Sequence, residues 1–469
     1  MSTARNSMTG RKFIEFAGRW PIRLAVIMVM VWAAVAFPLT TGAQGVGKQL
    51  LRQQIPAAIA RFHLQPLHPL PATNRLNLAI GLPLRNQDEL NKLLAEIYDP
   101  NSTNYHHYLT PEDFAARFGP TEADYQSLIH FAETNGLTVT ATYPNRALLD
   151  VSGNVATVEK VFHVKLNVYQ HPSEDRTFYA PDTEPSVNFS VPILHVSGLD
   201  NYSQPRPAAL KKNSLTEKPA GAVPAAGGSG PGSSFIGKDF RNAYAPGVTL
   251  DGAGQFVGLL EFDGFYSNDI AAYEAAAGIP PVPIITSLIG GFNGIPTGDA
   301  TAVLEVSMDI ELAISMATNL AGVVVFEAAP TGNFDSILAS MAASNQIKQF
   351  SSSWFVNGTS DSNADQIFMN MAAQGQTFFQ ASGDGDAWVN PIWVPAASPY
   401  VTCAGGTTLT MSGSGAAYAS ETVWNSGYSP RAGIHASRAS RLVTSASRSS
   451  SRSSAGSAAR RAEAARCWS

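Results

Sequence analysis

The chain has 469 residues, of which 45% are hydrophobic and 14% are charged, with a formal net charge of -5 and a pI of about 6.0. This length predicts two globular domains with flanking segments, and the weakly acidic balance excludes a composition typical of nucleic-acid binding. Two cysteines, Cys403 and Cys467, are too few for a disulfide framework in a chain of this size.

Residues 1–43 have the pattern of a secretory signal peptide. Basic residues between 11 and 23 precede an apolar run over 24–37, and small residues follow at 41–43. A membrane anchor is the alternative, but a span needs about 20 apolar residues, and Pro38 ends this run early. We therefore expect secretion, to the extracellular space or the periplasm, without stable membrane association.

Residues 50–202 alternate helical and strand patterns and predict an α+β unit of ferredoxin-like size. Thr110 and Pro111 predict a helix start, with the threonine as N-cap and the proline at the first helical position. Further helices are predicted over 122–134 and 155–162, and strands over 137–141, 147–151 and 165–169. The stretch that follows, 203–234, is rich in Pro, Ala, Gly, Ser and Lys and predicts an exposed linker with a processing site.

From 235 to 430 the pattern changes to alternating strands and helices. Buried strands are predicted over 255–261, 322–327, 349–353, 377–381 and 400–404. Helices are predicted over 302–318, 333–344 and 362–374. This alternation predicts an α/β fold with a parallel sheet covered by helices on both faces. Because ligands of such sheets bind at the carboxyl ends of the strands, site residues should follow strands.

Two carboxyl groups lie four residues apart on one predicted helix. At this spacing Glu305 and Asp309 share a helix face, with about 6 Å between their Cβ atoms. If the pair is partly buried, the two groups titrate together and one keeps its proton, which suits acid–base chemistry. Spacing alone favours the alternative, a solvated acidic helix face.

Three more candidates stand at the ends of predicted strands. Asp384 follows a strand between two glycines, while Glu261 and Trp354 each end one. A turn aspartate, a loop acid and a core tryptophan are the structural alternatives. Their shared position at strand ends favours a site.

Taken together, these residues resemble the sedolisins, a family of serine-carboxyl peptidases that includes kumamolisin-like enzymes. The segment 305–311 is similar to the family's Glu-x-x-x-Asp-Ile-Glu helix, in which the first Glu is the general base and the Asp orients it. The resemblance implies that Asp384 helps to form the oxyanion hole and that Glu261 and Trp354 extend an acidic hydrogen-bond network.

The resemblance runs from about residue 50 to 429 and so includes the predicted α+β unit at 50–202. Residues 99–121 are similar to the activation domain that precedes such enzymes, and 395–407 and 421–425 to the segments that follow the site. It implies a subtilisin-like fold, peptide or protein substrates, an activation domain that inhibits its own enzyme, and a bound calcium ion.

The family's nucleophile is not found in this sequence. The resemblance implies a serine in a Gly-Thr-Ser-x-x-x-Pro motif after the oxyanion aspartate, and calcium ligands beyond it, but neither follows Asp384. The segment 358–360 matches only the first three residues, precedes Asp384 and lacks the proline, so we do not expect Ser360 to be the nucleophile.

The segment 431–469 consists almost entirely of Ser, Ala and Arg. A disordered basic tail is one interpretation. We favour the other, loss of the reading frame near Pro430 in a GC-rich gene, because an α/β domain that stopped here would be unfinished.

The sequence therefore predicts a secreted, acid-acting serine-type endopeptidase made as a proenzyme. The resemblance implies that, in the intact protein, Glu305 accepts the proton of the serine and Asp384 stabilises the oxyanion. The alternative is an inactive, truncated or pseudo-peptidase product that at most binds peptides. A subtilisin-type triad is excluded because it needs a histidine, and none occurs between Ser203 and Pro430.

Overall fold

The computed structural model describes residues 47–207, 227–356, 361–383 and 392–423. The predicted signal peptide, the middle of the predicted linker, Ser360, Asp384 and the segment 431–469 lie outside these ranges. The helices are α1 (Ala57–Arg61), α2 (Gln87–Ile97), α3 (Pro111–Arg117), α4 (Glu122–Thr134), α5 (Val155–Phe162), α6 (Lys238–Tyr244), α7 (Ser267–Ala277), α8 (Ala300–Met316), α9 (Phe334–Ala343) and α10 (Ser362–Ala373), with a 3-10 turn at Pro231–Ser233.

The strands are β1 (Lys48–Leu50), β2 (His68–Pro69), β3 (Arg75–Gly81), β4 (Thr138–Thr142), β5 (Leu148–Asn154), β6 (Leu166–Gln170), β7 (Thr177–Pro181), β8 (Ser186–Asn188), β9 (His195–Ser197), β10 (Arg206–Pro207), β11 (Phe256–Glu261), β12 (Ile284–Leu288), β13 (Gly322–Glu327), β14 (Gln349–Ser352), β15 (Trp354–Phe355), β16 (Thr377–Ala381), β17 (Thr402–Ala404), β18 (Thr407–Ser412) and β19 (Ala417–Val423).

The front of the chain is an α+β unit built on a four-stranded antiparallel sheet. Its strand order is β4-β5-β3-β9, so the first strand along the chain lies between the third and the fourth. With α4 and α5 as its two crossovers, this is the arrangement of a ferredoxin-like unit. The predicted α+β architecture of this unit is confirmed.

Helix caps explain why several boundaries could be predicted here. The Thr110 hydroxyl accepts a hydrogen bond from the Asp113 N–H at 3.1 Å, and Pro111 occupies the first turn of α3. The Asn154 side chain accepts one from the Thr157 N–H at 2.8 Å and starts α5 at its predicted residue.

The second half of the chain contains a six-stranded parallel sheet of order β12-β13-β11-β14-β16-β17. Residues along β11 and β13 are buried almost without interruption, which requires cover on both faces. Helices α8 and α9 each contact both strands, α7 packs on α8, and α10 packs on α9. The predicted helix-covered parallel sheet is confirmed.

The sequence patterns missed several elements of the second half, among them α6, β12, α7 and the hairpin β18–β19. Strand β12 lies at the edge of the sheet and is half exposed, so it has no continuous apolar run. Helix α7 is rich in alanine, buries only Ile270 and Glu274, and ends at Gly278 in the left-handed region with φ 64°. The hairpin β18–β19 is mostly exposed and polar.

The α+β unit packs directly against the helices α9 and α10. The Gln366 side chain of α10 binds the segment that follows β3. It accepts from the Leu84 N–H at 2.6 Å and donates to the Leu82 carbonyl at 3.2 Å. The Tyr143 hydroxyl donates to the Ser336 carbonyl at 3.2 Å. Buried apolar residues of both halves belong to common clusters, so the two halves share a core.

The same interface buries carboxyl groups. Asp335 is fully buried and accepts hydrogen bonds from the Asn363 amide at 3.0 Å and from the Ser197 hydroxyl of β9. Burial raises the pKa of Asp361 to about 8, with a further contribution from the charge of Asp335. The interface is therefore polar at this point and sensitive to protonation.

Within the described ranges, no helix is long and apolar enough to cross a membrane.

We expect Gly81→Ala to loosen this interface. A Cβ at Gly81 would lie 1.8 Å from the Asn363 Oδ1, and this buried side chain could move only by giving up its bond to Asp335. The expected loss of unfolding free energy is about 1–3 kcal/mol, as for overpacked sites. Urea unfolding measures it, with Gly47→Ala, which meets no atom within 4 Å, as the control. Equal midpoints for the two variants would contradict the packing described.

Candidate active site

Side chains from two neighbouring strands meet at the carboxyl edge of the parallel sheet. Glu261 is the last residue of β11 and is fully buried. Trp354 follows the end of β14, and its indole N–H donates to the Glu261 Oε2 at 2.6 Å. Since β11 and β14 are adjacent and parallel, their ends bring these two predicted residues together.

Helix α8 brings the two predicted carboxyl groups to the same place. The Asp299 side chain caps the helix by accepting from the Thr301 N–H at 2.9 Å. Glu305 and Asp309 are 1% and 6% exposed, so the alternative of a solvated acidic helix face is wrong. The Ser353 hydroxyl donates to the Asp309 Oδ1 at 2.9 Å and ties α8 to the end of β14.

The Glu261 and Asp309 carboxyl groups act on each other, because the charge of Asp309 raises the pKa of Glu261 and a hydrogen bond between the two groups would raise the pKa of Glu261 and lower that of Asp309. An ionised carboxylate has no donor, so this bond requires a proton on one of the two. The Glu261 Oε1 and the Asp309 Oδ2 are buried and have no hydrogen-bond partner among the described residues. We infer that the two carboxyl groups share one proton through these oxygens.

Burial is the main reason that the network holds protons. It raises the pKa of Asp309 to about 7 and is opposed by the hydrogen bonds from Ser353 and Glu261. Burial also raises the pKa of Glu261 well above its usual range, followed by the charges of Asp309 and Glu305, while the Trp354 donor lowers it. Three carboxyl groups in one dry place cannot all ionise together near neutral pH.

This arrangement can exchange a proton with a bound reactant. A buried group of carboxyls that shares protons through hydrogen bonds can accept a proton at one end while its neighbours hold the geometry. The structure thus brings Glu261, Glu305, Asp309 and Trp354 together, while Asp384 and Ser360 lie outside the described residues.

Sequence reasoning missed Ser353 as a member of the network. The signal was present, because Ser351, Ser352 and Ser353 form a run of small donors at a strand end. Two of these serines make hydrogen bonds at the site. The Ser352 hydroxyl accepts from the Trp354 N–H at 3.1 Å, and the Ser353 hydroxyl donates to Asp309.

Glu421, which belongs to a segment similar to the family, lies elsewhere. Glu421 lies on β19 of the hairpin β18–β19, and its carboxylate accepts from the hydroxyl of Tyr244, the last residue of α6, at 2.9 Å. Across the described ranges, no group of three or more His, Cys, Asp or Glu side chains is placed to hold a metal ion. The calcium ion that the resemblance implies stays a prediction, and no step below depends on it.

The segment that leaves the α+β unit, strand β10, pairs with strand β15, which begins at Trp354 of this site. Strand β10 is antiparallel to β15, with Arg206 opposite Phe355 and Pro207 opposite Trp354. One end of the predicted linker is therefore held in place, although it was expected to be exposed. The Arg206 guanidinium donates to the Glu174 carboxylate at 2.8 Å and lies 6.0 Å from the centre of the Trp393 ring.

Comparison with known proteins shows which proteins this chain is similar to. Residues 63–202 match the pro-kumamolisin activation domain, within the boundaries predicted for the α+β unit. The chain is 28% identical to kumamolisin of Bacillus sp. (strain MN-32), over 80% of this chain and 68% of kumamolisin. It is 26% identical to sedolisin of Pseudomonas sp. (strain 101), over 79% of this chain and 66% of sedolisin.

A solved structure of Pseudomonas sedolisin, described as a serine-carboxyl proteinase complexed with two molecules of pseudo-iodotyrostatin, is 24% identical. The match covers 44% of this chain and 61% of that one, with a TM-score of 0.36. This chain therefore spans about two thirds of the length of the relatives that it matches.

We expect the network to make the protein more stable in mild acid. The pKa of Asp309 is about 7 in the fold and is raised above its unfolded value of 3.8. The folded state then binds more protons between these values, so the free energy of unfolding falls as pH rises, by up to about 1.4 kcal/mol per pH unit for one proton. Asp309→Asn should flatten this slope.

Urea unfolding at pH values between about 5 and 7 measures the slope. Asp88→Asn, an exposed carboxyl in the first turn of α2, is the matched control and should keep the slope of the unmodified protein. An Asp309→Asn slope identical to that of the control would show that Asp309 does not hold a proton in this range.

Proposed function

We propose that this chain, which belongs to the sedolisin family and carries its activation domain, is the proenzyme of a serine-type endopeptidase. The proposed enzyme is secreted to the extracellular space or the periplasm, cleaves peptides or unfolded proteins, and works in acid. Family membership supports the class of reaction, and the chemistry of the buried carboxyl network supports the residues.

The observation that carries the proposal is the closed set of hydrogen bonds at the carboxyl edge of the sheet. Trp354 donates to Glu261, Ser353 donates to Asp309, and the charge of Asp309 acts on Glu261. Glu305 stands one helical turn before Asp309, buried and close enough for its charge to act on Glu261. A structural ion pair would explain burial, but there is no cation in this set.

In the proposed reaction, the Glu305 carboxylate removes the proton of a serine hydroxyl as that oxygen attacks the peptide carbonyl. The acyl-enzyme forms, the amine leaves with a proton, and water then releases the acid. Asp309 and Glu261 position Glu305, and Asp384 stabilises the oxyanion. The serine lies outside the described residues, and the printed sequence has no family motif for it.

The acid range of the proposed enzyme follows from the identity of the base. No histidine occurs between 203 and 430, so a carboxylate must accept the proton. A base works best near its own pKa, and a carboxylate therefore favours acid conditions. Buried neighbours that hold their protons keep the charge of the cluster small enough for Glu305 to ionise.

The activation domain is proposed to inhibit the enzyme by adding a strand to the substrate edge. Strand β10 pairs with β15 next to Trp354, where an extended peptide would pair in the same way. Glu174 holds this strand, because its carboxylate accepts from Arg206 at 2.8 Å and from Arg176 at 2.5 Å. The hydrogen bonds from Arg206 and Arg176 lower the pKa of Glu174 against an opposing effect of burial.

We expect Glu174→Gln to free β10. Since the folded pKa of Glu174 is lowered, its contribution is present above the unfolded pKa and is lost as pH falls through the lowered value. Hydrogen–deuterium exchange at the Phe355 amide, opposite Arg206 in the β10–β15 pair, should become severalfold faster in the variant at neutral pH. Glu159→Gln, which removes a surface pair with Lys165, is the control. Unchanged exchange in Glu174→Gln would mean that β10 is held by other contacts.

The second candidate, an inactive product that at most binds peptides, is favoured by the missing serine motif after Asp384. Resequencing the codons for 425–436 decides whether a serine motif follows in frame. If it does, the corrected protein should digest a denatured protein at about pH 3 to 5, and Glu305→Ala should lower kcat/KM by about 10⁴-fold. Glu311→Ala, on the same helix, is the control.

Protein made from the uncorrected sequence should not digest the denatured protein in the same assay, because Glu305 and Asp384 have no nucleophile to assist. Turnover that is lost on Ser360→Ala would identify Ser360 as the nucleophile and overturn this expectation. An in-frame stop shortly after codon 430 would favour the inactive product.

A further inference from the structure

Two buried carboxyl groups of the candidate site each receive one hydrogen bond from consecutive residues that follow β14. The Trp354 indole N–H donates to the Glu261 Oε2 at 2.6 Å. The Ser353 hydroxyl donates to the Asp309 Oδ1 at 2.9 Å. Each donor occupies one oxygen of its carboxyl group, and the other two oxygens, Glu261 Oε1 and Asp309 Oδ2, are buried without a hydrogen-bond partner among the described residues.

The backbone around Ser353 is fixed by the sheet. Ser352, the last residue of β14, lies in register with Gln380 of β16. The Trp354 N–H donates back to the Ser352 hydroxyl at 3.1 Å, and the Trp354 carbonyl accepts from the Gln380 side chain at 3.1 Å. Ser353 itself is fully buried. Its hydroxyl is therefore a preorganised donor, held toward α8 by the strand that precedes it.

Only neutral donors are found at these two carboxyl groups. The ion pairs in the described part of the chain involve neither Glu261 nor Asp309. The charged group that also acts on Glu261 is Glu305, one helical turn before Asp309 on α8, and it is a carboxyl group as well. A hydroxyl and an indole therefore stand where a buried carboxylate commonly has a cation.

We propose that Ser353 is a positioning residue that fixes the place of the proton shared by Glu261 and Asp309. Its hydroxyl keeps the Asp309 Oδ1 as an acceptor, as the Trp354 indole does for the Glu261 Oε2. Accepting such a bond favours the unprotonated form of that oxygen. The proton is thereby confined to the two oxygens without donors, between the end of β11 and the middle of α8.

The two donors oppose each other in where they place the proton. Burial raises the pKa of both carboxyl groups, that of Asp309 to about 7. Against burial, the Ser353 bond lowers the pKa of Asp309 and the Trp354 bond lowers that of Glu261. Each donor favours the ionised form of the carboxyl group that it contacts. Removal of one donor should therefore move the proton toward the carboxyl group that has lost its bond.

The consequence for catalysis rests on the proposed peptidase function. In that reaction Glu305 is the base, and a second negative charge beside it would oppose its ionisation. A proton held between Asp309 and Glu261 removes one such charge and keeps the two groups together. Ser353 contacts no reacting atom in this scheme and acts through Asp309.

Carboxyl ¹³C NMR titration of the full chain tests the role of Ser353 without requiring activity. In Ser353→Ala the Asp309 midpoint should rise by about one to two pH units, the size expected for a lost hydrogen bond to a charged group. Ser353→Thr, which keeps the hydroxyl, should restore the midpoint of the unmodified protein. Trp354→Phe should instead raise the Glu261 midpoint without raising that of Asp309.

Ser352→Ala is the matched control. This neighbouring serine is equally buried, and its hydroxyl accepts from a backbone N–H. Its removal should leave the Asp309 midpoint unchanged even if it lowers stability. An unchanged Asp309 midpoint in Ser353→Ala would overturn the proposal, and so would a lower one, since it would show that Asp309 donates its proton to the serine.

Urea unfolding at a series of pH values gives a second readout that needs no resonance assignment. Because the folded pKa of Asp309 is raised above its unfolded value of 3.8, its contribution to stability is lost as pH rises through about 7. In Ser353→Ala this loss should continue to about pH 8 or above, whereas Ser352→Ala should keep the profile of the unmodified protein. Equal profiles for the two variants would contradict the proposal.

A third variant covers the case in which Ser353→Ala does not fold. Ser353→Cys keeps the size of the side chain but donates weakly, so it should also raise the Asp309 midpoint. A midpoint in Ser353→Cys equal to that of the unmodified protein would overturn the proposal.

The outcome is separable from the proposed function. If the Asp309 midpoint rises in Ser353→Ala but the corrected protein shows no peptidase activity, the role of Ser353 stands and the peptidase assignment fails. If the corrected protein cleaves peptides while the midpoint stays unchanged, the role of Ser353 fails alone.

Discussion

The structure around the candidate site depends on one constraint, that carboxyl groups removed from water must share protons or find donors. We infer that Glu261 and Asp309 meet this constraint with a common proton, because burial and the charge of Asp309 raise the pKa of Glu261, and their other bonds come from Trp354 and Ser353. These contacts tie the ends of two strands to the middle of α8, so the same bonds that satisfy the carboxyls also fix the relative position of sheet and helix. Burial, which is costly for an ionised group, thereby becomes a means of positioning a base.

The activation domain follows the same chemistry at a different place. Its contact with α9 and α10 buries Asp335 and leaves Asp361 half-buried, and its exit strand is held on β15 by the ion pairs of Glu174. The carboxyl groups at the contact with α9 and α10 and the ion pairs of Glu174 respond to pH in opposite directions, because the pKa of Asp361 is raised and that of Glu174 is lowered. Acid therefore strengthens the buried contact and weakens the strand clamp.

Much of the fold could be predicted from the sequence, and the exceptions have physical causes. The patterns located β13, α4 and α5 to the residue, because buried strands are continuously apolar and caps mark helix ends. They missed β12, whose edge position leaves it half polar, and the pairing of β10 with β15, which is specified by a distant partner rather than by its own composition. Spacing placed Glu305 and Asp309 on one face but could not reveal whether that face is buried.

The most direct test of this account is a carboxyl ¹³C NMR titration of Glu261 and Asp309, assigned with Glu261→Gln and Asp309→Asn. The shared proton predicts that the two resonances shift together and that one proton remains bound at about pH 6, well above the usual range for carboxyl groups. Two independent titrations, each with a midpoint near pH 4, would show that both groups are ionised and solvated and would contradict the account.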